Sequence, residues 1–213
     1  MSMKFRDDSG FTLVEMSVAI ILSAMVVATF VSVFFSFSRN AGDANGRAEH
    51  QEQARQVLSR LVVDLRQAVT ADPNGQVIES LDPDHLVFYT MMRDADTPIR
   101  VVYERANCVA AECELVVKRY AATDFEDGAY AFASAPFEET RLMGGVLGDQ
   151  PLFGGMDWLG DPKVKTPITV CGSSGPACSF PLVSVTLRSV PLTTSEGGRT
   201  PLEIREEVRM RNA

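Results

Sequence analysis

Histidine is scarce in this chain, and basic residues are fewer than acidic ones. Only two of its 213 residues, His50 and His85, are histidines, and neither stands beside a serine or cysteine in a nucleophile signature. A membrane-anchored hydrolase therefore finds no motif to support it. The 20 lysines and arginines are outnumbered by 28 acidic residues, and the net charge of -8 argues against a surface built mainly to neutralise phosphates.

Recognised motifs for metal ions and phosphate groups are also missing. Asp157 and Asp161 flank Trp158, but the spacing lacks an EF-hand pattern and a calcium ion needs about six or more oxygen ligands. We expect solvated loop carboxylates there. The glycines of MGGVLG and LFGGM are not followed by Lys-Ser or Lys-Thr, which leaves no support for a phosphate-binding loop. The sequence predicts no cofactor and no metal.

A long uncharged segment lies near the N-terminus. Residues 16–37 are 22 residues without a charge, enough at about 1.5 Å per residue to cross a hydrocarbon core of about 30 Å. The segment is longer than the apolar region of a secretory signal, and no small-residue cleavage site follows it, so we expect it to be retained. Lys4 and Arg6 precede it, which predicts a single-pass protein with a cytoplasmic N-terminus and an exported head.

Glu15 stands at the edge of this segment. An acidic residue within a membrane is costly and persists because a partner neutralises it. No basic residue lies within helical reach, since the positions three and four residues away are Phe11, Thr12, Val18 and Ala19. A cut between Gly10 and Phe11 would create an α-amine that could meet the Glu15 of a neighbouring, staggered helix. We therefore predict a partner outside the chain's own helix.

The hexapeptide GFTLVE at residues 10–15, followed by the uncharged segment, resembles the class III signal of type IV prepilins and type II secretion pseudopilins. The resemblance implies that a prepilin peptidase cleaves after Gly10 and methylates Phe11, and that Glu15 assists subunit docking. Residues 1–10 would be a cytoplasmic leader that is removed, and residues 11–39 the transmembrane and assembly helix. The alternative is a signal-anchored protein with a stray glutamate.

The chain after the membrane segment predicts a second helix. Residues 40–47 contain two glycines and an Asn-Gly step, which predict a weakened or locally unwound joint. Apolar residues at spacings of three and four from Ala48 to Val69 predict an amphipathic helix. The ADPNG sequence of residues 71–75 would end it. Residues 40–75 are thus expected to hold the joint and the amphipathic helix.

The remaining residues, 76–213, predict an antiparallel β head. Short runs rich in β-branched or aromatic residues predict a meander over 76–80, 85–90, 99–105 and 114–120, and a hairpin from 181–190 and 200–211. Residues 142–163 hold six glycines and two prolines and predict an irregular excursion. We expect its Phe153 and Trp158 to cover the sheet.

The order of one long helix followed by strands resembles the pilin fold, of the α+β class, over essentially the whole chain. Within that family, RLMGGVLGDQPLFGGMDWLGD, LVSVTLRSV and EVRMRN resemble the larger minor pilins and the J-type minor pseudopilins of type II secretion. The resemblance implies a structural subunit, not an enzyme, that helps to initiate or cap a type IV pilus-like filament. Its partners would be other pilins, the prepilin peptidase, the inner-membrane assembly platform and, before assembly, membrane lipid.

Four cysteines fall in two close pairs, Cys108 with Cys113 and Cys171 with Cys178. In an oxidising compartment the simplest expectation is two disulfides, and we favour the local connectivity among the three possible ones. Zinc is the rival, although neither gap belongs to a recognised ligand pattern with histidine. Such short loops constrain little chain entropy, so we expect the disulfides to pin the tips of hairpins.

A second function of another class is a DNA- or surface-binding tip subunit of a competence or adhesion pilus. The net charge counts against DNA, but a basic cluster could still form from Lys118, Arg119, Arg188, Arg205, Arg209 and Arg211.

Overall fold

The computed structural model describes residues 12–71, 76–91, 96–158, 165–168, 170–172, 178, 182–191 and 200–210. The chain divides into two compact units, residues 1–45 and residues 46–213, and the second is called the head unit below. The architecture is α+β, with one long N-terminal helix and a curled antiparallel sheet, and it is consistent with a pilin fold.

Helix α1 runs from Leu13 to Arg66 and supplies all the helical residues of the described chain. It is long and apolar enough to cross a membrane, with a mean hydropathy of 2.6 in its most apolar window. Helical geometry continues through residues 40–47, so the joint is not unwound, and its predicted weakness stays a prediction. Each glycine costs about 1 kcal/mol relative to alanine, but a helix already formed on both sides propagates by one hydrogen bond per residue.

The head unit buries one stripe of the helix. The buried positions follow the predicted spacing of three and four residues and are His50, Ala54, Val57, Leu58, Leu61 and Leu65. The helix ends at Arg66, before the predicted limit of Val69, because the next residues pair with a strand. Ala68 forms a β-bridge with Thr90, and the backbone N–H of Val69 donates to the carbonyl of Tyr89 at 2.9 Å.

Ten strands follow the helix in the described chain. They are β1 Ile78–Asp82, β2 His85–Met91, β3 Pro98–Val109, β4 Glu112–Glu126, β5 Ala129–Phe132, β6 Glu138–Leu147, β7 Phe153–Trp158, β8 Lys165–Ile168, β9 Leu182–Ser189 and β10 Leu202–Arg209. The order across the sheet is β1-β2-β3-β4-β6-β9-β7-β8, with β5 beside β4 and β10 beside β9. All the pairings between named strands are antiparallel.

The predicted meander is confirmed by β1 to β4, and the predicted hairpin by β9 and β10. The irregular excursion predicted over residues 142–163 is wrong, because strands β6 and β7 occupy much of it. Glycines lower strand propensity, but they are tolerated where a strand bends or is closely packed. Gly145 has a φ of +68°, and its carbonyl accepts from Val190 at 2.8 Å where β6 meets β9.

The two ends of the curled sheet meet beside β1. Leu81 and Cys171 form an antiparallel bridge in which each backbone N–H donates to the other carbonyl, at 3.2 and 2.9 Å. The core lies between the inner face of the sheet and the buried stripe of the helix. Its largest buried side chains include Tyr103, Phe88 and Phe153. Phe153 is buried as predicted, but it belongs to strand β7 and not to a covering loop, and the side chain of Trp158 lies outside the described structure.

Candidate assembly site

The N-terminus of α1 is closed by a reciprocal capping box between Thr12 and Glu15. The backbone N–H of Glu15 donates to Thr12 Oγ1 at 3.3 Å, and the backbone N–H of Thr12 donates to Glu15 Oε2 at 3.1 Å. The Thr12 hydroxyl also donates to Glu15 Oε2 at 3.1 Å. Two backbone donors that a helix start leaves unpaired are thereby satisfied. Glu15 thus has a polar partner within the chain, which the sequence analysis looked for only among basic residues.

The apolar segment that follows presents its side chains outward. None of the 18 residues in its most apolar window is buried within the chain, and Phe30 and Phe37 are 73% and 70% exposed. Part of its polar content is satisfied within the helix, because the hydroxyls of Ser17, Thr29 and Ser32 donate to carbonyls three or four residues earlier. This surface suits a hydrocarbon environment or a bundle of similar helices.

The head unit ties its helix to the sheet through a partly buried polar cluster. Tyr103 and Arg119 both bind the same Asp64 oxygen, Oδ2, at 2.7 and 3.2 Å, and Arg119 also donates to Glu138 at 2.9 Å. Burial raises the pKa of the Tyr103 phenol, and the Asp64 charge adds to the rise. Tyr103 therefore stays protonated and acts as a hydrogen-bond donor at neutral pH.

A second polar cluster joins strands β1, β2 and β3. Arg100 makes two hydrogen bonds to Glu79, and the Tyr89 hydroxyl donates to Glu79 at 3.0 Å. Burial alone would raise the pKa of Glu79, but the hydrogen bonds and charge of Arg100, with the Tyr89 hydrogen bond, lower it overall. This bidentate pair is the strong form of arginine–carboxylate contact.

The two histidines have different surroundings. His85 begins β2, as predicted, and lies 3.9 Å from Asp82. His50 is buried on the helix, and its Nε2 lies 3.0 Å from Ser189 Oγ on β9. No local sequence pattern indicates this pair, because the two residues are 139 positions apart. Ser189 has no exposed surface, so the pair supports packing rather than attack on a substrate.

The basic residues considered for DNA are largely neutralised by carboxylates. Lys118 pairs with Glu104, Arg119 with Asp64 and Glu138, Arg188 with Asp149, and Arg205 with Glu207. Arg211 lies outside the described residues. Arg209 is exposed on β10, so carboxylates neutralise four of the six side chains of the predicted basic cluster.

The cysteines form the local pairs, Cys108–Cys113 and Cys171–Cys178. The first joins β3 to β4 at their hairpin tip, as predicted. The second is not at a hairpin tip: it holds the segment that bridges Leu81 of β1. The thiols are used as disulfides, and no group of histidine, cysteine and acidic residues in the described chain is arranged to hold a metal ion.

Several predicted residues fall outside the described structure. Gly10 and Phe11, the predicted cleavage and methylation positions, precede its first described residue, and Asp161 lies in a gap. Their roles stay predictions.

The family model for the prokaryotic N-terminal methylation motif matches residues 5–31. Neither the curated proteins nor the solved structures gave a match. The matched range contains Gly10, Phe11, the capping box and the first part of the apolar segment. The motif implies processing by prepilin peptidase and assembly with other pilins. Together with the apolar helix it fits a membrane-anchored protein, and it supports placing this chain in the type IV pilin and pseudopilin family.

Proposed function

We propose that this protein is a minor pilin or pseudopilin, a structural subunit without enzymatic activity that helps to initiate or cap a type IV pilus-like filament. The observation that carries the proposal is the methylation motif joined to an outward-facing apolar helix. The helix would anchor the precursor in the cytoplasmic membrane with its head outside. It would then pack against the helices of other subunits in the filament.

Glu15 has two roles in this proposal. In the precursor it completes the capping box of its own helix. After cleavage at Gly10, the negative charge of Glu15 attracts the α-amine of a neighbouring subunit. The same carboxylate has enough lone pairs to accept the hydrogen bonds from Thr12 as well. The neighbour is a different pilin, because a large head domain fits poorly into the repeating shaft. The assembly platform of the inner membrane would present the two subunits to each other.

Processing is tested by intact mass and N-terminal sequencing of the protein from its own host. We expect a chain that begins at methylated Phe11. A Gly10→Val precursor should keep residues 1–10 and remain in the membrane. A mature wild-type chain that retains Met1 to Gly10 would overturn the central claim.

The role of Glu15 in assembly is tested by separating its charge from its hydrogen bonds. Glu15→Gln keeps a side chain that can accept the capping hydrogen bonds but removes the charge, whereas Thr12→Ala removes the cap and keeps the charge. We expect both variants to be cleaved. Incorporation into filaments, measured by immunoblot of sheared filaments, should fall sharply for Glu15→Gln and little for Thr12→Ala. The reverse order would assign the residue to capping alone.

DNA binding is the competing function, and the neutralised basic residues of the head disfavour it. The purified full chain in detergent micelles should show no salt-dependent binding to duplex DNA at low ionic strength. Binding that weakens steeply with salt would favour the tip-subunit alternative.

A further inference from the structure

His50 is the first buried side chain of the helix within the head unit, which begins at Gly46. The next buried position is Ala54. Between them, Gln53 adds one hydrogen bond to the sheet, from its Nε2 to the carbonyl of Leu142 at 3.2 Å. Residues 46–53 therefore depend on His50 for their buried contact with the sheet.

The surroundings of His50 suit a neutral imidazole. The ring contacts the buried Ser189, and His50 also lines a cavity of about 240 Å³. The uncharged residues around that cavity are Gly46, Gln53, Leu142, Met143, Gly144 and Pro191. A neutral imidazole has one donor and one acceptor nitrogen, and the Ser189 hydroxyl matches either.

Charged groups near His50 come from the helix and from two strands. Glu49 and Arg141 line the same cavity, and Arg47 lies one turn earlier on the helix. Arg141 is held by Glu114 at 3.0 Å, and Arg188, which precedes Ser189, is held by Asp149. Glu49 is the one acidic residue among the cavity-lining side chains, and it is exposed to water. A positive charge at His50 would line the same cavity as the charge of Arg141.

We propose that His50 is an acid-sensitive anchor, which holds residues 46–53 on the sheet while its imidazole is neutral and releases them when the imidazole is protonated. An imidazolium makes both ring nitrogens donors and places a charge on a side chain that is buried against the sheet. Releasing this short segment exposes the ring to water and breaks the hydrogen bond from Gln53 to Leu142. The helix from Ala54 onward keeps its own buried stripe and stays in place.

The direction of the pH effect follows from the burial of the ring. Burial lowers the pKa of His50 below its ordinary value of 6.5. The released segment, with its ring in water, binds a proton at higher pH than the docked segment does. Docking is therefore fully favourable above about pH 6.5 and weakens as the pH falls below that value.

Hydrogen exchange of the full chain in detergent micelles, followed by mass spectrometry from pH 7.5 to pH 5, tests the proposal. Once residues 46–53 lose the support of the sheet, we expect their helical hydrogen bonds to open more often. After correction for intrinsic exchange rates, protection of these residues should therefore fall by up to about tenfold per pH unit below about pH 6.5. Protection of residues 54–65 should change little. A response shared equally by both segments, or by neither, would overturn the proposal.

Two variants identify the group that titrates. His50→Gln keeps a side chain that can hydrogen bond to Ser189 but does not titrate, so protection of residues 46–53 should become independent of pH. The matched control is His85→Gln, which removes the half-buried histidine of β2 and should leave the response intact. If His50→Gln folds poorly, the proposal is tested by following the NMR resonance of the His50 imidazole in the wild-type protein as the pH is lowered. A midpoint at or above 6.5 would contradict the proposal.

Discussion

Tyr103 and Arg119 reach the same oxygen of Asp64 from two neighbouring strands, with donor–acceptor distances of 2.7 and 3.2 Å. Asp64 is on the helix, so one carboxylate fixes the position of the helix over β3 and β4. The register places Tyr103 opposite Val117, which is two residues from Arg119, so both side chains lie on the same face of the sheet. The hydrogen bonds of His50 and Gln53 are further polar links between helix and sheet.

Removing the Tyr103 hydroxyl should destabilise the head. Tyr103→Phe leaves the ring in the core and deletes a hydrogen bond to a charged group, at a cost of about 1.5 to 3 kcal/mol. Chemical denaturation of the full chain in micelles measures the loss. Tyr130→Phe is the control, because that phenol is only partly buried, and we expect a change within about 0.5 kcal/mol. Equal effects would show that the Asp64 contact contributes nothing specific.

Replacing Arg119 should cost more than replacing Tyr103. Arg119→Met removes the cation from a largely buried pair and leaves Asp64 without its charge partner, which costs about 3 to 5 kcal/mol. Asp64→Asn in the same chain should recover part of the loss, since the buried charge is then gone. Denaturation midpoints of the two single variants and the double variant give the coupling energy. Additive losses would contradict a direct interaction.

The Glu79 cluster predicts acid sensitivity of the head. The pKa of Glu79 is lower in the folded chain than its ordinary value of 4.5, so the unfolded chain binds the proton first. The stabilisation is complete above about pH 4.5 and is lost as the pH falls through the lowered pKa. We expect Glu79→Gln to have a lower thermal midpoint than the wild type at pH 7. The difference between the two thermal midpoints should become smaller at pH 3. A constant difference would contradict this role.

Gly172 should not tolerate a side chain. Its φ is +92°, and an added Cβ would lie 2.3 Å from the carbonyl oxygen of Glu79 and 2.7 Å from Ser80 Cα. Gly128 has a similar φ of +85° but no atom within 4 Å of an added Cβ. Gly128→Ala should therefore cost about 1 kcal/mol of backbone strain, whereas Gly172→Ala should cost clearly more. Equal thermal midpoints of the two variants would show that β1 moves away from the added Cβ at no cost in stability.

The two disulfides should differ in their contribution to stability. Both close short loops, so the loss of chain entropy in the unfolded state is similar and small. Both sulfurs of Cys171–Cys178 are buried, whereas Cys108 is exposed. We expect the Cys171→Ser/Cys178→Ser variant to lower the thermal midpoint more than the Cys108→Ser/Cys113→Ser variant. Thiol labelling of the denatured, unreduced wild-type chain should find no free cysteine.

The sequence predicts the elements whose local pattern is strong. β-branched runs locate β1 to β4, and the spacing of apolar residues locates the buried stripe of the helix. Residues 142–163 were mispredicted because glycine content outweighed the apolar residues between the glycines. The Asp-Gly turn at residues 127–128, with both φ values positive, was also available as a hairpin signal for β5.

The candidate site divides in the same way. GFTLVE is local, so the sequence carries the whole motif, although its Thr12–Glu15 hydrogen bonds were overlooked. The contacts of Asp64 with Arg119 and of His50 with Ser189 join residues 55 and 139 positions apart. No local pattern specifies such pairs, because they depend on how the sheet curls around the helix.

The bridge between Leu81 and Cys171 bears on aggregation. An unpaired strand edge is a template for pairing with another chain and hence for aggregation. β1 pairs with β2 on one side, and the bridge covers part of the other side. In the proposed filament, where many heads would be held close together, this strand would thus offer less free backbone for a wrong association.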